Sequence, residues 1–288
     1  MTTPLVFLPG LFETPHIWQS TIDRLKLPAD RVAHLHLWGH KPVDRGAFDL
    51  DAWVDDAVGI IRTHGGDRPV TLVSHSTGGL LSLILAKRHP ELVRSLVLTG
   101  SLTCGHRDRA ARLEEKLLAR PLMGRALFTL AARGWVRSRA GFEKALSCVM
   151  PPEIAAEVPD DMRLFLAQCS PAAAVTMVRW VLRTSIIDQL PQIRVPILAM
   201  IGQDDIVVPP LHQLRMIQAA PLGEGCLLDA GHLPFLENPA AFDRALRGWL
   251  MRPHETKPLV EPVQPAPVLS SNAFRAASTA LRLVQVQQ

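Results

Sequence analysis

Short apolar runs alternate with longer amphipathic segments along most of this chain, and the alternation limits the folds open to it. The segments 14–26, 49–64, 80–89, 209–219 and 239–249 carry apolar residues at helical spacing. The runs between them are blocks of β-forming residues that end in loops: PLVFLPG, RVAHLHLWG, VTLVSHS, SLVLTGS, VPILAMIGQ and GCLLDAGH. Continuous apolar runs are typical of parallel strands buried on both faces. The pattern predicts an α/β fold with a doubly wound, mostly parallel sheet of about six strands.

One long interval interrupts this alternation. Residues 102–191 contain no convincing strand but several helical stretches, which predicts a helical cap inserted into the core rather than a loop. The core then comprises residues 1–101 and 192–251. Residues 252–288 begin with a proline-rich stretch, PLVEPVQPAPVL, that favours extended chain over a packed element. We expect this C-terminal tail to be disordered.

Charge and cysteine content exclude several classes of protein. The net charge of +4 and pI near 9.1 are only mildly basic, and the tryptophans are not interleaved with basic residues, so we expect no nucleic-acid partner. The N-terminal segment lacks the basic residues and long apolar core of a signal peptide or membrane span. Four cysteines show no C-x-x-C spacing and indicate free thiols: Cys104, Cys148, Cys169 and Cys226. We therefore expect a soluble cytoplasmic protein without a membrane span.

Three histidines in HLHLWGH raise the question of a metal site. His34 and His36 share one face of the predicted strand, and His40 follows shortly beyond. The segment lacks the adjoining Asp and His of H-x-H-x-D-H hydrolases. We expect packed or exposed histidines here, and no metal.

The segment SHSTGG, at the end of the third predicted strand, is the best candidate for chemistry. Functional groups of an open parallel sheet gather beyond the carboxyl ends of its strands. A nucleophile elbow needs small residues two positions before and two after the central residue. Centring on Ser76 puts Ser74 and Gly78 there, whereas centring on Ser74 would put Leu72 there. The spacing indicates Ser76, with Ser74 replacing the first glycine of the usual G-x-S-x-G.

A serine hydroxyl needs a base that a third group orients, and later segments of the chain contain both. Asp204 and Asp205 follow the fifth predicted strand, and His232 follows the sixth. The order nucleophile, acid, base is the order expected for an elbow of this kind. These residues alone leave the acid open between Asp204 and Asp205.

Together these blocks resemble the α/β-hydrolase family over about residues 5–250. The resemblance is to its lidded esterase, lipase and lactonase branch, which includes pimeloyl-carrier-protein methyl ester esterases. It is carried by four segments in family order: FLPGLFETPHIW, LVSHSTGGLLSLILAKRHPELVRSLVLTGS, PILAMIGQDDIVVPP and AGHLPFLENPAAF.

The resemblance implies roles for further residues. By position in similar proteins the acid is Asp205, with Asp204 facing solvent or capping a helix. The expected oxyanion-hole donors are the backbone amides of Leu11 and Thr77. Pro9 stands where similar proteins commonly carry a histidine, which removes side-chain support from that loop.

These residues predict a serine hydrolase that cleaves a carboxylic ester, lactone or thioester through an acyl-enzyme, with no cofactor or metal. Two alternatives stay open: an acyltransferase with the same acyl-enzyme, or a non-catalytic ligand-binding protein of the same fold. The expected partner is a small-molecule ester. Residues 105–144 carry ten Lys or Arg against four acidic residues, a balance that also fits a substrate linked to a carrier protein or coenzyme A.

Overall fold

The computed structural model describes residues 3–11, 13–40, 46–105, 120–168 and 170–253. The predicted disordered tail beyond residue 253 lies outside the described residues, as do Cys169 and residues 106–119 of the basic run.

Six parallel strands form one sheet. Their bounds are β1 Leu5–Leu8, β2 Val32–His34, β3 Val70–His75, β4 Val93–Thr99, β5 Ile197–Gly202 and β6 Gly223–Leu228. The strand order is β2-β1-β3-β4-β5-β6, and every neighbouring pair is parallel. All six predicted strands are present, and the predicted α/β class is confirmed.

Helices cover both faces of this sheet. In the core they are α1 Gln19–Leu25, α2 Leu50–Gly65, α3 Thr77–Arg88, α9 Pro210–Ala219, α10 Pro234–Glu237 and α11 Pro239–Met251. One buried cluster joins α2, α3 and α9 to strand residues such as Leu72 and Leu98. A second joins α1, α10 and α11 to residues of the opposite face, such as Val73 and Val97. Successive strand residues thus enter different layers, as a sheet covered on both faces requires.

Five α-helices lie in the described part of the chain between β4 and β5, from residue 121 onward. They are α4 Pro121–Arg137, α5 Arg139–Leu146, α6 Pro152–Glu157, α7 Asp160–Gln168 and α8 Pro171–Arg183. An antiparallel bridge between Cys104 and Ser185 joins the two ends of this helical insertion. The insertion has the position and helical content predicted for the cap, whereas the limits at residues 102 and 191 stay a prediction.

Two arginines of the insertion hold its helices together. Arg139 binds Glu143 at 2.6 Å and the carbonyl oxygen of Val158 at 2.5 Å. Arg163 binds Asp160 and donates to the carbonyl oxygen of Val136 at 2.8 Å. Part of the positive charge in this region is therefore used in internal packing.

No single helix of the described chain is both long and apolar enough to cross a membrane. The bent pair formed by α7 and the Ala173–Arg183 part of α8 reaches that length and composition only when the two helices are taken together.

Candidate active site

Ser76 lies at a sharp turn between β3 and α3. Its backbone has φ 50° and ψ −117°, and a positive φ of this kind is strained for a residue with a side chain. The Ser76 amide donates to the carbonyl oxygen of Thr99 at 2.9 Å, which ties the turn to β4. A Cβ atom at Gly78 would lie 2.5 Å from the carbonyl oxygen of Pro9, so only glycine fits there. The geometry is that of the predicted elbow, centred on Ser76.

Ser74 replaces the first glycine of the usual motif, and its contacts explain why a serine fits. The side chain is fully buried, and its Oγ lies 2.6 Å from the Oγ of Ser82 in α3. The extra hydroxymethyl group thus lies between β3 and α3 with its hydrogen bond made, because a second serine faces it. Ser74 is a packing residue of the elbow.

Asp205 is surrounded by hydrogen-bond donors. Its Oδ1 accepts the amides of Val207 and Val208, both at 2.8 Å, and its Oδ2 accepts Nε2 of Gln213 at 3.2 Å. The same Oδ2 lies 2.9 Å from Nδ1 of His232. Burial acts to raise the pKa of Asp205, but the facing His232 and these hydrogen bonds outweigh it, and the net shift is downward.

Asp204 differs from Asp205 in exposure. Its residue is exposed, whereas Asp205 is buried. Of the two aspartates that the sequence left open, the structure brings Asp205 to the histidine.

His232 lies on the loop after β6, and a single carboxylate braces that loop. Glu237 accepts the amide of Gly231 at 2.7 Å and the amide of Leu233 at 2.8 Å. The side chain of Glu237 thereby fixes the backbone on both sides of His232. Sequence reasoning assigned no role to Glu237, although it lies in the segment AGHLPFLENPAAF that carried part of the resemblance.

Leu11 and Thr77 are the two residues whose amides were predicted to form the oxyanion hole. Leu11 follows Gly10 in the loop after β1, and Thr77 is the first residue of α3. The first amides of a helix have no partner within the helix, so the Thr77 amide is available to an incoming group. Both residues line the same cavity as Ser76 and His232. The structure therefore brings all five predicted site residues together.

A buried acid and a buried histidine adjoin these residues. Oε1 of Glu13 lies 2.6 Å from Nδ1 of His75, the residue before Ser76. Oε2 of Glu13 accepts the Gly10 amide at 2.5 Å, and Nε2 of His75 lies 3.0 Å from the carbonyl oxygen of His232. Sequence reasoning missed this pair, because the contact joins two loops that are far apart in the chain.

The cavity that opens at Ser76 has a volume of about 670 Å³ and a mostly apolar wall. Its far side comes from the helical insertion and includes Trp135, Phe142, Leu146, Met162, Leu166 and Val178. A cavity of this volume is in the range of sites for small molecules. Such a wall favours an apolar group beside the serine.

Two of the three histidines of HLHLWGH pack against the insertion, and His34 packs against Phe7 of β1. His36 and His40 contact the ring of Phe165 in α7, with centroids 6.3 and 6.0 Å away. Burial, with a smaller contribution from His36, lowers the pKa of His34 to about 4 and that of His40 to about 3, so both are neutral near pH 7. Among the described residues, no group of three or more His, Cys, Asp or Glu side chains is arranged to hold a metal ion.

Comparison with known proteins identifies the family to which this chain belongs. The model of the alpha/beta hydrolase family matches residues 5–245, so the chain belongs to the alpha/beta hydrolase family. Over 249 residues it is 30% identical to a pimeloyl-[acyl-carrier protein] methyl ester esterase of Neisseria meningitidis serogroup C, covering 82% of this chain and 88% of the relative.

Solved structures have the same fold. A hydrolase from Pseudomonas aeruginosa superposes with a TM-score of 0.69 at 22% identity, covering 87% of this chain and 91% of that one. A thermophilic esterase from Thermogutta terrifontis superposes with a TM-score of 0.66 at 20% identity, covering 87% and 90%. The named relatives are thus hydrolases and esterases.

Proposed function

We propose that this protein is a serine hydrolase that cleaves a carboxylic ester, lactone or thioester through an acyl-enzyme. The observation that carries the proposal is the hydrogen-bonded pair of His232 and Asp205 in the same cavity as Ser76, which lies on a strained elbow. A binding protein needs a cavity but has no use for this combination of serine, histidine and buried acid.

In the proposed reaction, Ser76 Oγ attacks the carbonyl carbon of the ester. Nε2 of His232 takes the hydroxyl proton and delivers it to the leaving alcohol as the carbon–oxygen bond breaks. Asp205 holds Nδ1–H of His232, at 2.9 Å, and so leaves Nε2 free to act as the base. Water that His232 activates then attacks the acyl-enzyme and releases the acid.

The negative charge of the tetrahedral intermediate needs donors that are already in place. The amides of Leu11 and Thr77 are the proposed donors, because both residues line the cavity beside Ser76. The positive end of the α3 helix dipole also points at this position.

The proposed substrate has an apolar acyl group, since the cavity wall is mostly apolar. An acyl chain linked to a carrier protein or coenzyme A is a narrower form of the proposal. It is supported by the name of the Neisseria relative and by exposed basic residues such as Arg120 and Lys144. The reaction as written uses only side chains and amides of the chain. We propose a cytoplasmic location, in keeping with the free thiols of Cys104, Cys148 and Cys226.

Reaction with a serine-directed fluorophosphonate tests the proposal. Intact mass should show one adduct on the wild-type protein, and the protein should hydrolyse p-nitrophenyl esters. Ser76→Ala should lose both the adduct and the hydrolysis. Ser74→Ala is the matched control, because it removes the other serine of the segment, and it should keep both.

Three outcomes would separate the proposal from its rivals. A folded wild-type protein that neither labels nor hydrolyses esters would contradict the hydrolase and indicate a binding protein. An adduct that persists in Ser76→Ala would place the nucleophile elsewhere. A wild-type protein that forms the fluorophosphonate adduct, but yields acyl products only when an alcohol, amine or thiol is added, would indicate an acyltransferase.

A further inference from the structure

A buried carboxylate and a buried imidazole lie next to the proposed active site, and the mechanism above uses neither. Glu13 is 8% exposed and His75 is 1% exposed. Burying an isolated charge is costly, so an acid in this position needs a compensating partner. Oε1 of Glu13 and Nδ1 of His75 lie 2.6 Å apart, so each side chain has the other as a partner of opposite charge.

Their contacts connect three loops. The Gly10 amide donates to Glu13, Glu13 faces Nδ1 of His75, and Nε2 of His75 faces the carbonyl oxygen of His232. A carbonyl oxygen only accepts, so Nε2 of His75 carries a proton. A carboxylate also only accepts, so Nδ1 carries one too. The contacts are those expected for an imidazolium, with Nε2 at 3.0 Å from a carbonyl oxygen and Nδ1 at 2.6 Å from a carboxylate oxygen.

The direction of the pKa shifts agrees with this reading of the contacts. Burial acts to lower the pKa of His75, but the charge of Glu13 and the hydrogen bonds outweigh it, and the net shift is upward. Burial acts to raise the pKa of Glu13, but His75 and the Gly10 amide outweigh it, and the net shift is downward. Both shifts favour the charged forms.

The loop after β1 has Glu13 as its side-chain anchor. Pro9 has no hydrogen-bonding side chain and no amide proton. Gly10 lies directly over the pair, because a Cβ atom there would be 2.8 Å from Nδ1 of His75 and 2.9 Å from Oε2 of Glu13. Gly10, the residue directly before Leu11, is therefore packed against Glu13 and His75.

We propose that Glu13 and His75 are positioning residues that hold the Leu11 amide, Ser76 and His232 at fixed distances from one another. The proposal rests on the hydrolase function proposed above. Glu13 acts through the Gly10 amide, and His75 acts through its place before Ser76 and through the backbone of His232.

Two substitutions of Glu13 separate its geometry from its charge. In Glu13→Gln, the amide oxygen accepts the Gly10 amide and the amide NH₂ donates to Nδ1 of a neutral His75, whose Nε2–H still reaches His232. All three contacts survive without charge. In Glu13→Ala, the Gly10 amide and His75 both lose their partner.

Kinetics with a short p-nitrophenyl ester should follow this distinction. Glu13→Ala should lower kcat by about 10- to 100-fold, the scale of a misplaced oxyanion donor, and change KM by less than about threefold. Glu13→Gln should keep kcat within about fivefold of the wild type. Thr71→Val is the control, since it removes a buried side-chain hydrogen bond to Ser95 at the start of the strands and should leave kcat unchanged.

Nuclear magnetic resonance of ¹⁵N-histidine protein tests the pair without any substrate. The wild type should show both ring N–H signals of His75 at neutral pH, assigned by their loss in His75→Gln. Glu13→Gln should leave only the Nε2–H signal.

The possible results distinguish a failure of the positioning role from a failure of the proposed function. A neutral His75 in the wild type would overturn the charged form of the pair, and a kcat of Glu13→Ala within twofold of the wild type would overturn the positioning role. A wild type that hydrolyses no ester would contradict the proposed function instead. In that case, faster hydrogen exchange of the Leu11 and Thr77 amides in Glu13→Ala, but not in Glu13→Gln, would support the positioning role, and equal exchange would refute it.

Discussion

Replacing Asp205 by Asn tests the proposed triad, because this carboxylate receives only donors. Oδ1 accepts the Val207 and Val208 amides at 2.8 Å, and Oδ2 accepts Gln213 at 3.2 Å and His232 at 2.9 Å. An asparagine has one acceptor oxygen and one NH₂ donor in place of two acceptors. With the oxygen kept at the two amides, the NH₂ group faces Nδ1 of His232 and also Nε2 of Gln213, which then keeps only the carbonyl oxygen of Val208 as its acceptor.

Nδ1 of His232 must then accept, so the proton of the neutral ring moves to Nε2. That is the nitrogen that has to take the proton of Ser76, and the base is lost although the geometry is kept. We expect kcat for an ester to fall by about 10³- to 10⁴-fold. At about 1.4 kcal/mol for each tenfold change, this is roughly 4 to 5.5 kcal/mol of transition-state stabilisation.

Asp204→Asn is the matched control, one residue away and exposed. Steady-state hydrolysis of the same ester by both variants, with circular dichroism to verify folding, makes the comparison. We expect Asp204→Asn to stay within about twofold of the wild type, as is usual for exposed positions away from the chemistry. A loss of less than tenfold in Asp205→Asn, or an equal loss in both variants, would refute the reasoning.

Two further predictions concern the cavity and the buried pair. Val178→Phe should fill part of the cavity and lower kcat/KM for long-chain p-nitrophenyl esters by about tenfold or more. The value for p-nitrophenyl acetate should stay within about threefold of the wild type. A uniform loss across chain lengths would contradict this prediction. Because the pKa of Glu13 is lowered, this carboxylate stabilises the folded protein above its ordinary pKa of 4.5, and the stabilisation is lost as the pH falls. Because the pKa of His75 is raised, this histidine stabilises the folded protein below its ordinary pKa of 6.5, and the stabilisation is lost as the pH rises through the raised pKa. Urea unfolding should therefore show the largest difference between wild type and Glu13→Gln from about pH 4.5 to 6.5, shrinking on both sides. The charges of His232 and Asp205 also act on the pair, so the unfolding measurements should cover the full pH range for both the wild type and Glu13→Gln.

The sheet and the candidate site residues were predictable because their signals are local. The six strands carry continuous apolar runs, and Ser76 has small residues at fixed distances along the chain. The choice of Asp205 over Asp204 needed a positional comparison with similar proteins, since both aspartates have the same local surroundings in sequence.

The supporting contacts were not predictable because they depend on which loops meet. Glu13 and His75 are separated by 61 intervening residues and pair only after β1 and β3 align. The cavity wall is a second example. Cap helices have apolar residues on more than one side, and the sequence does not tell whether Phe142 or Val178 faces the core, another helix or the cavity.

The helical insertion between β4 and β5 also affects how this chain folds. The elbow that holds Ser76 is built from β3 and its neighbours β1 and β4, all of which precede the insertion in the chain. Asp205 and His232 follow β5 and β6, which come after the insertion and pair with β4 and β5. Closing a loop of roughly 100 residues in place of a crossover of roughly 12 costs about 2 kcal/mol more chain entropy. Non-local pairing of this kind is slow, so we expect the β4 and β5 pairing to be a late step of folding. Enzymatic activity then appears only with that last step, and a ribosome-bound chain that ends within the insertion has its elbow serine without the base.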